Sequence, residues 1–296
     1  MGRSRWRALA ALAALPLMAA ACSGTASNDA LAGQAGKPKV PVLHEATDST
    51  IAISDTSQGY TFDSDMTALP ADQIYRFRIL RPDGKPQMDY LWDQTKLLHF
   101  LAVRNDFTNF AHVHPTMAPD GTWSVHLPLN APGPYQLYVD FLLKDSQGLP
   151  RHLVLRRPLG VAGPYQLSPV VPAPSTSGEA DGYRITFLKQ PKPWTVMLLP
   201  ARVTRTDGTP VTDLEPYLAV FAHFTSFNVA NDLYGHAHPL EYAGAGREGW
   251  PAITTFRGGP TLTFHAEFPG AGDYRAFVEF QIGGQLHTAA LTMRVQ

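Results

Sequence analysis

From about residue 60 onward the chain is a succession of short runs in which apolar and polar residues alternate. Tyr75-Arg76-Phe77-Arg78-Ile79-Leu80 is the clearest. A period of two places successive side chains on opposite faces of an extended segment, so such runs predict half-buried strands. The pattern predicts strands at 75–80, 97–103, 122–129 and 135–141, and again at 183–188, 195–204, 217–224, 261–268, 274–282 and 288–295. Asp-Gly and Pro-Gly breaks punctuate them, from a pool of 24 glycines and 26 prolines. No stretch sustains a helical period over three turns. The expected class is all-β: two tandem immunoglobulin-like β-sandwich domains.

The two halves are copies of one another. Residues 99–115 (HFLAVRNDFTNFAHVHP) and 223–239 (HFTSFNVANDLYGHAHP) are equal in length and agree at five of seventeen positions, three of them histidines. Residues 126–141 and 265–280 agree at five of sixteen. An internal duplication accounts for this. It sets the expected organisation: repeat 1 over 60–163, a Pro/Ser/Ala-rich linker over 164–182, and repeat 2 over 183–296.

The N-terminal residues predict export. Arg3, Arg5 and Arg7 precede an apolar run that ends in Ala19-Ala20-Ala21-Cys22. The run is too short to span a bilayer and has the layout of a signal peptide over 1–21. Its end resembles the bacterial lipobox, with Ala19 where leucine is usual, and the resemblance implies a lipid on Cys22. Residues 22–59 then form a lipidated start and a flexible tether. The membrane partner would be reached through that lipid, at the outer face of the cell membrane.

Composition narrows the chemistry. Cys22 is the only cysteine, so no intrachain disulfide forms and no thiolate exists for a blue-copper site. Losing residues 1–21 removes three arginines and takes the net charge from −1 to −4, and no basic patch invites nucleic acid. There is no Gly-x-Ser-x-Gly elbow, phosphate loop or nucleophilic cysteine, so a non-enzyme is expected. A metalloenzyme with three histidine ligands is the one enzymatic class left open.

Ten of the eleven histidines fall into pairs between the copies: 99/223, 112/236, 114/238, 126/265 and 152/287. Only ten of the 33 compared positions agree, yet every histidine there does. Neutral imidazole is the commonest metal ligand and suits copper and zinc. His112/His114 and His236/His238, two apart on extended chain, would each present two rings to one face. His99 and His223 could supply a third ligand. His126 and His265, with Asp140 and Glu279 as carboxylates, complete the candidate set, and no organic cofactor is indicated. His152 and His287 read as structural, each opening a strand with no second ligand nearby. One expectation is therefore a metal-binding protein that buffers, senses or hands over copper or zinc, with one site per repeat or one between repeats. The other is an adhesion or scaffold module whose histidines pin the fold, with a protein partner left unidentified.

Two segments carry a family resemblance. One runs from Lys96-Leu97-Leu98-His99-Phe100 to His112-Val113-His114-Pro115 and Asp120-Gly121-Thr122-Trp123-Ser124. The other runs from Asp213-Leu214-Glu215-Pro216-Tyr217-Leu218 to His236-Ala237-His238-Pro239. Together they resemble uncharacterised secreted proteins and lipoproteins of actinobacteria with duplicated His-x-His-Pro β-sandwich domains. The likeness spans most of residues 60–296 and implies architecture and export, not an activity. A looser likeness, in fold type and histidine use, is to periplasmic immunoglobulin-like copper-handling proteins.

Overall fold

The computed structural model describes residues 54–70, 72–168, 170–240 and 256–296. The signal segment, Cys22, His44 and most of the tether lie outside them. Among the described residues the only regular structure is strand.

Repeat 1 is a sandwich of two sheets. The first holds β1 (Thr56–Ser57), β2 (Tyr60–Asp63), β3 (Ile74–Leu80), β7 (Trp123–His126) and β6 (Thr116–Met117), in that order. The second runs β5 (Phe110–Val113), β4 (His99–Arg104), β8 (Gly133–Lys144), β9 (Pro150–Val161). Their inner faces meet in a core that includes Phe62, Tyr75, Phe77, Trp123, Phe100, Leu137, Val139 and Phe141.

Repeat 2 copies the scheme. One sheet is β14 (Tyr234–Ala237), β13 (His223–Asn228), β16 (Gly272–Ile282), β17 (Gln285–Val295). The other is β10 (Ser177–Ala180), β11 (Tyr183–Phe187), β12 (Met197–Arg205), β15 (Thr261–Ala266). A single pairing, Glu179 with Ala290, joins β10 to β17 and makes the eight strands continuous. Each repeat also keeps a tyrosine corner: Tyr135 donates its hydroxyl to the Ala131 carbonyl at 2.8 Å, and Tyr274 to that of Gly270 at 3.0 Å.

Two segments depart from the sequence pattern. Ser177–Ala180, expected in the linker, is a strand of repeat 2. Glycine stands at 178 because the chain passes close to β17 there: a Cβ on Gly178 would meet the Ala290 carbonyl oxygen at 2.8 Å. The strand carries no apolar alternation. The expected strand at 217–224 begins only at His223, because Tyr217–Val220 close a tight hairpin turn.

β4 and β13 are buried along their whole length, on both faces. One face belongs to each repeat's own core. The other packs against the opposite repeat, where Leu101, Val103, Phe107, Tyr138 and Val154 of repeat 1 meet Phe227, Tyr234 and Phe277 of repeat 2. Phe110 stacks on Phe277 with ring centres 4.3 Å apart. The repeats are therefore packed sheet to sheet within one unit, and this packing places the histidines.

Candidate metal centre

Register decides which side chains meet. Leu101 pairs with His112 and His99 with Asp140, so His112 and Asp140 share the outward face of the β5–β4–β8 sheet with His99. His114, two residues past His112, falls level with His99. In repeat 2 Thr225 pairs with His236 and His223 with Glu279, which gives the same layout. Because those two faces pack on each other, the two sets of side chains converge. His99 lies 5.2 Å from His236 and 6.3 Å from His223 between ring centres, and His112 lies 5.4 Å from both.

The tautomers follow from the partners. His99 Nε2 donates to the carbonyl of Asp93 at 3.2 Å, and a carbonyl only accepts, so the proton is on Nε2 and Nδ1 is bare. His223 Nε2 donates to the Tyr217 carbonyl, also at 3.2 Å, and its Nδ1 is buried with no hydrogen-bond partner. These carbonyls come from matching turns. Asp93–Lys96 and Tyr217–Val220 each close with reciprocal backbone hydrogen bonds. The central residues Gln94 and Thr95, and Leu218 and Ala219, all have φ between 40° and 72°. Non-glycine residues adopt that left-handed conformation at a cost of about 1–2 kcal/mol each. Such strain persists where surrounding contacts enforce it.

The carboxylates cross over between repeats. His112 Nδ1 donates to Glu279 of repeat 2 at 2.7 Å, which turns His112 Nε2 toward His99. His236 Nδ1 donates to Asp140 of repeat 1 at 3.2 Å, and its Nε2 is buried with no hydrogen-bond partner. Asp140 also accepts the Tyr234 hydroxyl at 2.8 Å and pairs with His152 Nε2. Burial works to raise the Asp140 pKa, but His152 and His236 override it and hold the carboxyl well below its usual range. Burial and Asp140 push the Tyr234 phenol well up, so it stays a donor.

Two nitrogens of repeat 1 then approach His99 Nδ1. His99 Nδ1 is 3.0 Å from His112 Nε2 and 3.2 Å from His114 Nε2. A proton or a cation between His99 Nδ1 and His112 Nε2 accounts for the shorter approach. Burial opposes a proton on His99 itself. His99 is pushed down to about 3, against a partial counter-pull from Asp93, and His114, His223 and His236 are also lowered. The spacing also suits a metal ion: ligands at roughly 2.0–2.1 Å from one centre lie a little over 3 Å apart.

Of the sequence-predicted residues, the structure brings together His99, His112, His114, Asp140, His223, His236, His238 and Glu279. It does not bring in His126 or His265. Both lie on the other sheet of their sandwich, opposite Ile74 and Leu198, and His126 is exposed. The pairing of His152 with His287 is also corrected. His152 faces Leu142 in the ladder, whereas His287 faces Phe280. That one-residue difference sends them to opposite faces. His152 reaches Asp140 on the outer face, while His287 lies beside the Phe280 and Tyr183 rings and donates to Asp181 at 2.9 Å. Sequence comparison missed Tyr234 and the two turn carbonyls. Tyr234 is matched by Phe110, and carbonyl acceptors leave no trace in residue identity.

Fold and site together define a tandem pair of immunoglobulin-like β-sandwiches with a histidine–carboxylate centre buried between them. The chain belongs to the family described as a domain of unknown function, DUF8832, whose model matches residues 55–152 and 178–296. No curated protein matches it. Among solved structures, it is similar to the tetra-tandem repeat in the extending region of a large adhesion protein, at 9% identity and a TM-score of 0.22, over 80% of this chain and 48% of that one. The fibronectin(III)-like modules of Clostridium thermocellum CbhA match at 11% and 0.18, over 80% and 94%. The Yersinia pseudotuberculosis adhesin InvE matches at 12% and 0.21, over 80% and 59%. The chain thus spans about half the length of the first of these. Likenesses this low carry nothing about function.

Proposed function

We propose that this is an exported, lipid-anchored protein that binds copper or zinc at the histidine centre between its repeats and buffers, senses or hands over the ion. The observation that carries this is the 3.0 Å approach of His99 Nδ1 to His112 Nε2, with the other nitrogen of each ring already committed as a donor. The all-imidazole donor set suits either metal. Carboxylate and carbonyl partners that fix ring orientation are what histidine metal ligands ordinarily have.

Titration calorimetry of residues 23–296 with Cu(II) and Zn(II) tests it. Binding that disappears in His112→Ala/His114→Ala and His236→Ala/His238→Ala supports the reading. A specific observation favours the adhesion or scaffold reading as well: His112–Glu279 and His236–Asp140 tie the repeats together without any ion. Under that reading the same variants lower the melting temperature while the wild type binds no metal. Export and anchoring are tested separately: labelled fatty acid should enter the wild-type chain in cells and not Cys22→Ala.

A further inference from the structure

Resting on the metal reading, we propose that the centre holds two ions, one in each repeat's histidine triad, and that each triad is aimed by a carboxylate of the opposite repeat. The first position takes His99 Nδ1, His112 Nε2 and His114 Nε2. The second takes the matching atoms of His223, His236 and His238.

Three observations carry this. First, the ligand nitrogens do not form one set. Among the described residues, those within 4.8 Å of one another fall into two groups, His99–His112–His236 and His223–His236–His238, which share only His236. Since Asp140 occupies its Nδ1, His236 has one nitrogen to give and serves one ion at a time. Second, each repeat keeps ligands of its own when His236 serves the second ion. On the first side His99 Nδ1 stands 3.0 Å from His112 Nε2 and 3.2 Å from His114 Nε2, and His114 must close on His112 to complete three ligands, since these three do not form a group within 4.8 Å as they stand. His223 Nδ1 and His236 Nε2 are buried acceptors with no hydrogen-bond partner, as ligand atoms of the second would be. Third, counter-charge is present at both ends. Glu279 lies against the first triad, Asp140 against the second, and the Asp93 carboxylate is 4.0 Å from His99 Nε2. Buried cations need such compensation.

Each carboxylate holds a ring of the other repeat, so Glu279 and Asp140 act as positioning residues across the boundary. Glu279→Gln can still accept through its amide oxygen but loses the charge. It should weaken the first ion by ten- to a hundredfold, the usual scale for such partners, and leave the second ion's affinity within a few-fold.

The test uses the full chain in detergent, loaded with Cu(II) or Zn(II) and freed of excess. Metal analysis should return two ions per chain. His99→Ala/His114→Ala and His223→Ala/His238→Ala should each retain one. With Cu(II), two ions roughly 3.5–6 Å apart, the scale set by known two-metal sites and these ring spacings, are magnetically coupled. The wild type should therefore show less paramagnetic-resonance intensity than its copper content, and each half-site variant should recover full intensity. One ion per wild-type chain, with an uncoupled signal, overturns the two-ion proposal and leaves the metal reading standing. No bound ion overturns both. The wild-type stoichiometry and coupling decide the matter even if a variant fails to fold.

Discussion

His99 shows what the centre asks of a single residue. It is fully buried, and burial is the largest cause holding it down to about 3. The unfolded chain binds a proton near the ordinary imidazole value of about 6.5, while the folded chain does not. Stability is therefore complete above that pH and lost as pH falls toward the folded value. The slope is about 1.4 kcal/mol per pH unit for each histidine kept neutral. His114, His223 and His236 are lowered too, and Asp140, held low, adds the same sign below its ordinary value. Urea unfolding of the metal-free chain should show a steep fall between pH 7 and 5; a flat profile would mean that water reaches the rings. Asp140 itself should be the most sensitive side chain. It accepts from His236 and Tyr234 and pairs with His152, and Asp140→Asn turns one oxygen into a donor that faces donors. Loss of one partner of a buried pair costs about 3–5 kcal/mol, measurable by the same unfolding at pH 7.

At the scale of elements, the turns before β4 and β13 set the histidine tautomers at the expense of backbone comfort. Leu218 and Ala219 sit at φ 52° and 69° in a two-residue hairpin turn, where Asn-Gly is the favoured sequence. Leu218→Asn/Ala219→Gly should therefore raise unfolding free energy by about 1 kcal/mol with metal affinity unchanged, since the Tyr217 carbonyl keeps its place. A large loss of affinity would show that the Leu218 side chain matters to the site. These elements also show how far the sequence could be read. Strands with an alternating pattern, such as Ile74–Leu80, were legible because one face is core and the other is wet. Ser177–Ala180 was not, because it carries no apolar alternation and close approach to β17 demands glycine at 178. The turn at Tyr217–Val220 was hidden by apolar residues in left-handed conformations. The six central histidines were legible because two diverged copies kept them in register. Their meeting was not, since the packing of one repeat on the other leaves no period in the chain.

That packing determines how the whole molecule unfolds. Each repeat has its own core, which by itself would allow two separate transitions. A third apolar cluster bridges them, joined by Tyr138 donating to the Asp232 carbonyl at 3.0 Å and by Arg156 paired with Asp232 at 3.1 Å. The outer faces of β4 and β13 are thereby buried against the other repeat, and neither repeat can open without exposing them. Calorimetry of the metal-free wild type should therefore give one transition with equal calorimetric and van't Hoff enthalpies. Phe110→Ala/Phe277→Ala removes the stack at the heart of the bridge; at about 3 kcal/mol or more for the buried Phe277 ring, with a smaller loss from half-buried Phe110, it should split the transition in two. Metal then has a clear signature. An ion held by both repeats binds only the docked state, so at a hundredfold excess over its dissociation constant it adds about 2.7 kcal/mol and should fuse the split peaks again. Ions held in triads that owed nothing to the opposite repeat's carboxylates would instead raise each peak without joining them. Coupling through Glu279 and Asp140 predicts fusion in the double-Phe variant, and loss of fusion when Glu279→Gln and Asp140→Asn are added, because the rings are then no longer aimed from across the boundary.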